Sequence, residues 1–250
     1  MEGAPSLLIE DLVAQWRQAI LRIAGDRQPL SVLFSGGLDS SLVAAGLRDL
    51  VEVNLVTVGV QGSTDMAAAE RGARILELPW SGHLISPDDV HRALDIDGVG
   101  LSQVSPTSRA VLLGMSLALE ATTTERVVCG QGADELFLGY AHFEGLSSAD
   151  AWACREEDLT RLLRDDWPRS ISIASRYGKS LISPFLDPEV LAYVRALSID
   201  ELRSGPGRKP LLRRMARLLG LPAELVERPK KAFQYGSGVA RLLRDSSRGP

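Results

Sequence analysis

A short segment rich in glycine and serine follows an apolar run near the start of the chain: Ser35, Gly36, Gly37, Leu38, Asp39, Ser40 and Ser41. Adjacent glycines let main-chain N–H groups approach an anion closely, and serines add hydroxyl donors. The N-terminus of the helix that follows adds positive partial charge. These features predict a loop that binds phosphate, although a glycine turn with a serine cap on the helix explains the same residues.

Two aspartates in separate loops are candidate ligands for a cation. Asp39 would repel a bare phosphate, so its presence predicts an intervening cation, for which Mg²⁺ is the expected ion. A second glycine-flanked segment, residues 130–135, carries Asp134 and Glu135 after another apolar run. Asp39 and Asp134 together could hold Mg²⁺ against a polyphosphate. The pair Asp134–Glu135 also suits a helix N-terminus, where the helix dipole favours acidic residues.

The elements that must position these loops alternate along the first half of the chain. Apolar, β-rich runs predict strands at 30–34, 51–60 and 126–130. Helical spacing of apolar residues predicts helices at 6–24, 40–50, 66–76 and 105–121. This alternation is typical of an α/β fold with a parallel sheet, in which ligands bind at the carboxyl ends of the strands. Beyond about residue 140 the pattern predicts helices and no strand.

Composition restricts the class of protein. The chain has 250 residues, 45% hydrophobic and 24% charged, which is ordinary for a globular protein and excludes a disordered tail or a fibre. No apolar run is long enough for a transmembrane helix, and the amino terminus has no secretory pattern, so we expect a cytoplasmic protein without a membrane partner. Cys129 and Cys154 form no disulfide framework, and His83, His91 and His142 have no metal-ligand spacing.

Charge is unevenly distributed along the chain. The segment from Arg203 to Lys231 holds nine Lys or Arg and two Glu, whereas the whole protein has a formal net charge of −4. A basic segment on an acidic protein predicts a local anionic partner, either a polyphosphate or a nucleic-acid backbone. A solvated basic helix face is the alternative interpretation.

Several motifs, in order over residues 28–240, resemble those of a known family. The loop at 35–41 (SGGLDSS) resembles the PP-loop of the ATP pyrophosphatase superfamily, and 130–140 (GQGADELFLGY) resembles the GEGADELFGGY motif of the asparagine synthetase synthetase domain. Residues 183–187 (SPFLD) resemble the R-x-PFLD segment of that domain. Residues 209–213 (KPLLR) match its K-x-x-LR, and 221–233 match its LP-x-x-V-x-R-x-K-x-x-F stretch. The segment 230–238 is also similar to stand-alone, archaeal-type asparagine synthase-related proteins.

The resemblance implies a fold and an activity. The fold is that of the PP-loop ATP pyrophosphatases (adenine nucleotide alpha hydrolase-like), as a single domain over 1–250. Within it, 28–145 would be the nucleotide-binding α/β portion and 146–240 a helical C-terminal portion. The implied activity is that of an ATP-dependent, AMP-forming carbon–nitrogen ligase with ATP and Mg²⁺. It would adenylate a small-molecule carboxylate, release pyrophosphate and transfer the acyl group to ammonia or an amine.

The same resemblance implies roles for individual residues. The loop from Ser35 to Ser41 would hold the pyrophosphate part of ATP, with Leu33, Val58 and Gly130 near the nucleoside. Lys230 matches the family lysine that contacts ATP phosphates, and Lys209 matches a second basic position. Ser63 and Asp65 fall where the superfamily places nucleotide contacts, although a helix cap explains them equally well.

The chain departs from the family pattern at several positions. Gln131 stands where asparagine synthetases have glutamate, and an amide cannot act as a general base, so we expect adenylation with a changed second half-reaction. Ser180 and Ile182 replace an acidic and a basic family residue, which puts aspartate recognition in question. Asp165 or Asp166 are alternative acidic groups.

Two further features concern partners. The family's glutaminase domain begins with a cysteine nucleophile, whereas Glu2 follows Met1 here, so no glutaminase domain is expected. Nitrogen would then come as free ammonia, from a separate glutaminase subunit, or as an amine on the acceptor; a homo-oligomer stays open. Two alternatives remain. One is a PP-loop enzyme that modifies RNA, although nucleic acid is not the expected partner; the other is a non-catalytic ATP or AMP sensor subunit.

Overall fold

A five-stranded parallel sheet forms the centre of this computed structural model, which describes residues 4–94, 104–228 and 236–246. The strands lie in the order β3-β2-β1-β4-β5. Their bounds are β1 Leu30–Leu33, β2 Val53–Gly59, β3 Trp80–Leu84, β4 Arg126–Val128 and β5 Ser180–Ile182. The chain builds outward from β1 to β3 and then returns to the other side of β1 for β4. The order of strands therefore reverses between β1 and β4, which is where open α/β sheets bind ligands.

Helices cover both faces of the sheet. The helices before β4 are α1 Ala4–Ala24, α2 Leu38–Leu47, α3 Thr64–Leu76, α4 Pro87–Leu94 and α5 Pro106–Glu120. After β4 come α6 Ala133–Leu136, α7 Ser148–Arg161, α8 Trp167–Arg176, α9 Pro188–Ala196, α10 Ile199–Leu202, α11 Pro210–Leu218, α12 Ala223–Val226 and α13 Val239–Ser246. A π-helical turn, Leu162–Asp166, joins α7 to α8, and short 3₁₀ turns lie at Ala141–Phe143 and Pro184–Leu186. None of the described helices is both long and apolar enough to cross a membrane.

Alternating side chains on the strands fill a core on each face of the sheet. In β4, Val128 packs into the large cluster formed with α1, α2 and α11, whereas Val127 packs against α5 and α8 on the other face. In β2, Leu55 joins the large cluster, and Val58 joins a cluster with α4, α5 and α13. Because successive strand residues point to opposite faces, apolar runs of this kind are expected where both faces are covered.

Aromatic packing holds α1 against the segments that follow β4 and β5. The ring of Trp16 lies 4.8 Å from that of Phe185, and Phe137 approaches Phe185 edge-on at 6.2 Å. All three side chains are buried. Phe137 and Phe185 belong to the two motifs that follow β4 and β5, so this aromatic cluster fixes both motifs against α1.

The predicted α/β class with a parallel sheet and a largely helical C-terminal portion is confirmed, and the predicted strands at 30–34, 51–60 and 126–130 correspond to β1, β2 and β4. The expectation of no strand beyond residue 140 is wrong, because β5 pairs with β4 through three residues. Three residues are too few for an alternation signal, so only pairing with β4 defines this strand. The strand β3 was likewise not predicted. The division at about residue 145 stays a prediction.

Candidate active site

The loop between β1 and α2 is tied together by its own serines. The hydroxyl of Ser40 accepts a hydrogen bond from the main-chain N–H of Ser35 at 3.2 Å and donates to the carbonyl of Gly37 at 3.3 Å. Ser35 Oγ in turn accepts from the N–H of Gly37 at 3.3 Å. These bonds fix the loop at the carboxyl end of the central strand, with the N-terminus of α2 directly behind it.

Close packing against α3 explains one of the loop glycines. Gly36 has φ +65°, and a Cβ there would lie 2.5 Å from the carbonyl oxygen of Ala68. Only glycine combines this backbone conformation with such an approach. The neighbouring loop after β4 is equally close, since a Cβ on Gly130 would lie 3.0 Å from Cβ of Asp39. The two loops predicted from the sequence therefore meet at the crevice between β1 and β4.

Asp39 and Asp134 converge on one buried cation, the ammonium of Lys209. Lys209 Nζ lies 2.7 Å from both carboxylate oxygens of Asp39 and 2.5 Å from Oδ1 of Asp134. The Lys209 side chain is 4% exposed, and the two aspartates are 23% and 21% exposed. Burial by itself disfavours the ammonium, but the charges of Asp134 and Asp39 raise the pKa of Lys209 above its usual value. The two aspartates therefore favour the charged form of Lys209 in spite of its burial.

Two backbone features allow Lys209 to reach this position. It lies at the start of α11 in the left-handed conformation, with φ 55° and ψ 45°, which is strained for a residue with a side chain. A Cβ on Gly139 would lie 2.0 Å from Oδ1 of Asp134 and 2.2 Å from Cε of Lys209. The absence of a side chain at residue 139 is therefore required for the ion pair between Asp134 and Lys209.

A third carboxyl group, that of Glu135, lies next to Asp134 and is buried. Glu135 is 7% exposed, and Tyr140 donates its hydroxyl to Glu135 Oε1 at 2.6 Å. Burial and the neighbouring charge of Asp134 raise the pKa of Glu135 to about 7. The sequence motif placed this residue beside Asp134, but only its burial makes it differ from an ordinary surface glutamate.

Gln131 lies at the turn between β4 and α6. Its main-chain carbonyl accepts a hydrogen bond from Ser183 Oγ at 2.6 Å, which links the two loops that follow β4 and β5. Its side-chain oxygen Oε1 is buried and has no hydrogen-bond partner within the described ranges. A buried acceptor of this kind is ready to accept a hydrogen bond from a ligand.

Arg228 lies against the loop after β1 and was not among the predicted site residues. Its guanidinium donates to the carbonyl of Ser35 at 2.8 Å and to Oδ1 of the buried Asp65 at 3.2 Å. Nη1 of Arg228 would be 3.8 Å from a Cβ on Gly37. The only signal in the sequence was the arginine of the LP-x-x-V-x-R-x-K match.

Ser63 accepts a hydrogen bond from the main-chain N–H of Met66, so it acts as the helix cap that was one of its two interpretations.

Several predicted nucleotide-binding residues are core residues in this structure. Leu38, Ser41 and Val58 are 7%, 0% and 1% exposed, and Leu33 is partly buried against the same cluster as Val58. Burial of these side chains leaves their main-chain groups as the parts that could face a nucleotide, and their place near it stays a prediction. Lys230, the predicted phosphate-binding lysine, lies outside the described residues. Ser180 is exposed on β5, and Asp165 is paired with Arg164 on the π-helical turn.

One cluster elsewhere contains three residue types that bind metals. The ligand atoms of His142, Cys154 and Asp158 lie within 4.8 Å of one another. Both oxygens of Asp158 are already engaged, one with His142 at 2.8 Å and one with Arg161 at 2.6 Å. The positive charge of Arg161 disfavours a metal ion there. We interpret the cluster as a network of hydrogen bonds and charge around Asp158 that joins α7 to the preceding turn.

Comparison with known proteins agrees with the predicted resemblance. The asparagine synthase family model matches residues 14–182 and 153–248. The chain is 28% identical over 270 residues to a Methanocaldococcus jannaschii protein provisionally named asparagine synthetase (glutamine-hydrolyzing) 1, covering 91% of this chain and 49% of that protein. It is 32% identical over 232 residues to the asparagine synthetase (glutamine-hydrolyzing) of Mus musculus, covering 86% of this chain and 41% of that protein. The chain thus spans half or less of the length of these relatives.

A solved structure of NMN synthetase from Francisella tularensis superposes with a TM-score of 0.48 and 13% identity, covering 94% of this chain and 78% of that one. The family match, in contrast, includes both Asp39 and Asp134 as well as Lys209, and it extends over most of the chain. This protein therefore belongs to the asparagine synthase family.

Proposed function

We propose that this protein is an ATP-dependent amide ligase that forms AMP and pyrophosphate. The observation that supports this most directly is the convergence of Asp39, Asp134 and Lys209 at the reversal of strand order between β1 and β4. Carboxylate oxygens are the ligands that Mg²⁺ prefers, so these aspartates suit the metal by donor type. When bound, Mg²⁺ would neutralise negative charge on the phosphate oxygens.

The loop from Ser35 to Ser41 binds the polyphosphate in this proposal. The N-terminus of α2 supplies positive partial charge there, and the guanidinium of Arg228 lies at the same loop. Lys209 supplies a second cation, and Lys230 remains the proposed third. Preorganised positive charge of this kind stabilises the charge that develops on departing pyrophosphate.

The proposed reaction has two steps. A carboxylate oxygen of the substrate attacks the α-phosphorus of ATP, the bond from that phosphorus to the bridging oxygen breaks, and pyrophosphate leaves with the electron pair. The nitrogen lone pair of ammonia or an amine then attacks the acyl carbon. The carbon–oxygen bond to AMP breaks, AMP leaves with its electrons, and the nitrogen loses a proton to water.

Gln131 determines what the second step requires. Its buried Oε1 can accept a hydrogen bond from the nitrogen nucleophile but cannot take up a proton. The nucleophile must therefore arrive as the neutral amine, and we expect the rate of amide formation to follow the fraction of neutral amine in solution. A small-molecule carboxylate as substrate and delivery of nitrogen by a separate glutaminase subunit are further parts of the proposal. The named relatives are glutamine-hydrolyzing asparagine synthetases, which is consistent with glutamine as the source of nitrogen.

The test is formation of AMP and pyrophosphate from ATP labelled at the α-phosphate, with Mg²⁺, a panel of carboxylic acids that begins with aspartate, and ammonium or primary amines. Asp39→Asn and Asp134→Asn should each reduce turnover by roughly a hundredfold or more, because each removes a carboxylate that the proposal assigns to Mg²⁺. Asp49→Asn is the matched control, since Asp49 follows the other end of α2 and is 82% exposed. It should retain full turnover.

Two results would contradict the proposal and favour an alternative. Binding of ATP without pyrophosphate across the whole panel would favour a nucleotide sensor. Release of AMP that depends on added RNA would favour an RNA-modifying enzyme.

A further inference from the structure

The ammonium of Lys209 lies between the two carboxylates that the proposed function assigns to Mg²⁺. It is within 2.7 Å of both oxygens of Asp39 and 2.5 Å of Asp134 Oδ1. A divalent ion bound between the same oxygens would have to share their space with Nζ. Two cations in contact with the same oxygens repel each other strongly, and burial of the site reduces screening of this repulsion by water. Lys209 and the metal therefore compete for Asp39 and Asp134.

Displacing this ammonium requires another anion to receive it. The Lys209 side chain is 4% exposed, so leaving it charged and unpaired in the interior would be strongly unfavourable. Bare Mg²⁺ brings no anion with it. A triphosphate brings several negative oxygens to the same crevice, and the displaced ammonium can bind to them.

The backbone around Lys209 allows such a movement. Lys209 has φ 55°, a strained conformation for a residue with a side chain, which the ion pair helps to maintain. It follows a turn that contains Gly205 and Gly207, both with positive φ, and a Cβ on Gly207 would contact nothing within 4 Å. A change in this turn would therefore displace little packed structure.

We propose that Lys209 is the resident counter-ion of Asp39 and Asp134 and excludes a divalent metal from them until a nucleotide binds. Metal and nucleotide would then enter together, and Lys209 would exchange the carboxylates for phosphate oxygens. This inference rests on the proposed function, because it takes Asp39 and Asp134 as the metal ligands.

The test measures Mn²⁺ binding rather than turnover, by the electron paramagnetic resonance signal of free Mn²⁺, with the full chain. Mn²⁺ prefers the same oxygen ligands as Mg²⁺. Without nucleotide, Lys209→Met should bind Mn²⁺ roughly tenfold more tightly than the wild type, because it keeps the apolar stem and removes the competing charge. Arg208→Met is the matched control, since Arg208 is the preceding residue and pairs instead with the exposed Glu144. It should bind Mn²⁺ as the wild type does. Addition of ATP should lower the free Mn²⁺ signal of the wild type further than the same ATP does without protein.

Equal Mn²⁺ affinity of the wild type and Lys209→Met without nucleotide would overturn the inference and leave the metal site itself intact. If Lys209→Met does not fold, the wild type is measured without nucleotide and compared with Asp39→Asn. Tight Mn²⁺ binding by the wild type that Asp39→Asn abolishes would also overturn the inference. Absence of Mn²⁺ binding in the wild type even with ATP would instead refute the metal site of the proposed function.

Discussion

Gly139 is the residue on which the contact between Asp134 and Lys209 depends. Gly139→Ala would place a Cβ 2.0 Å from Asp134 Oδ1 and 2.2 Å from Lys209 Cε. Because backbone and side chains must shift to relieve this overlap, we expect a loss of about 1–3 kcal/mol in the free energy of unfolding. Turnover should fall together with stability, since the same atoms form the site.

Gly25→Ala is the matched control for that change. The nearest atom to a Cβ on Gly25 is a carbonyl oxygen at 3.4 Å, an ordinary contact. Urea denaturation and the AMP assay should show Gly25→Ala close to the wild type in both measurements. Equal behaviour of the two variants would show that the crowding at residue 139 is relieved without disturbing Asp134.

The two cysteines are not suited to nucleophilic chemistry. Burial raises the pKa of the Cys129 thiol to about 12, and burial with the charges of Asp158 and Glu157 raises that of Cys154. A raised pKa lowers the fraction of reactive thiolate near pH 8. We expect mass spectrometry after iodoacetamide treatment to find Cys129 unmodified in the folded protein and alkylated after unfolding.

A double variant extends this prediction to function. Cys129→Ala with Cys154→Ser should retain AMP formation, because neither thiol belongs to the proposed mechanism. Loss of turnover in a variant that melts like the wild type would favour thiol chemistry, and rapid alkylation of folded Cys129 would contradict the effect of its burial.

At the scale of secondary structure, one buried arginine joins α7 to the end of α9. Arg155 is fully buried, and its guanidinium donates to the carbonyl of Arg195 at 3.0 Å and approaches those of Val194 and Leu197 at 3.5 Å. The last main-chain carbonyls of a helix have no N–H donor within the helix. The guanidinium of Arg155 supplies N–H donors to these carbonyls at the end of α9.

Removing that guanidinium tests its role. Arg155→Met should lower the free energy of unfolding by about 1–3 kcal/mol, because it leaves buried carbonyls without a donor. Urea denaturation measures the change, with Arg176→Met, on the exposed end of α8, as a control expected to stay within about 0.5 kcal/mol of the wild type. If the two variants unfold alike, the carbonyls of α9 find other partners.

At the scale of the whole molecule, five basic side chains of the C-terminal segment form ion pairs within the described residues. Arg208 pairs with Glu144, Arg213 and Arg217 pair with Glu227, Lys209 pairs with Asp39 and Asp134, and Arg228 pairs with Asp65. The protein as a whole carries a net charge of −4, so this basic segment lies on an acidic molecule.

Nucleic-acid binding should accordingly be weak. Such binding depends on releasing counterions from phosphates by clustered Lys and Arg that are free to contact them. We expect no electrophoretic shift of tRNA by the protein at about 0.15 M salt. A shift at that ionic strength would favour the RNA-modifying alternative over the small-molecule ligase.

The sequence alone determined the α/β class, the loop at Ser35–Ser41 and the placement of Asp39 and Asp134 at strand ends. Each of these is encoded locally, in an apolar run followed directly by glycine and an acidic residue, and parallel strands bring their carboxyl ends to one edge. The family motifs pointed to the same residues.

Only the tertiary structure decided that Lys209 lies between the two aspartates and which helices hold it there. Lys209 lies 170 residues from Asp39 in the sequence, and its ammonium reaches the two aspartates only because α11 packs against α1 and α2. Likewise β5 exists through its pairing with β4, and Val58 proved to be a core residue because α4, α5 and α13 cover it. Contacts between distant segments leave no periodic signal in the chain, so neither residue type nor spacing could predict them.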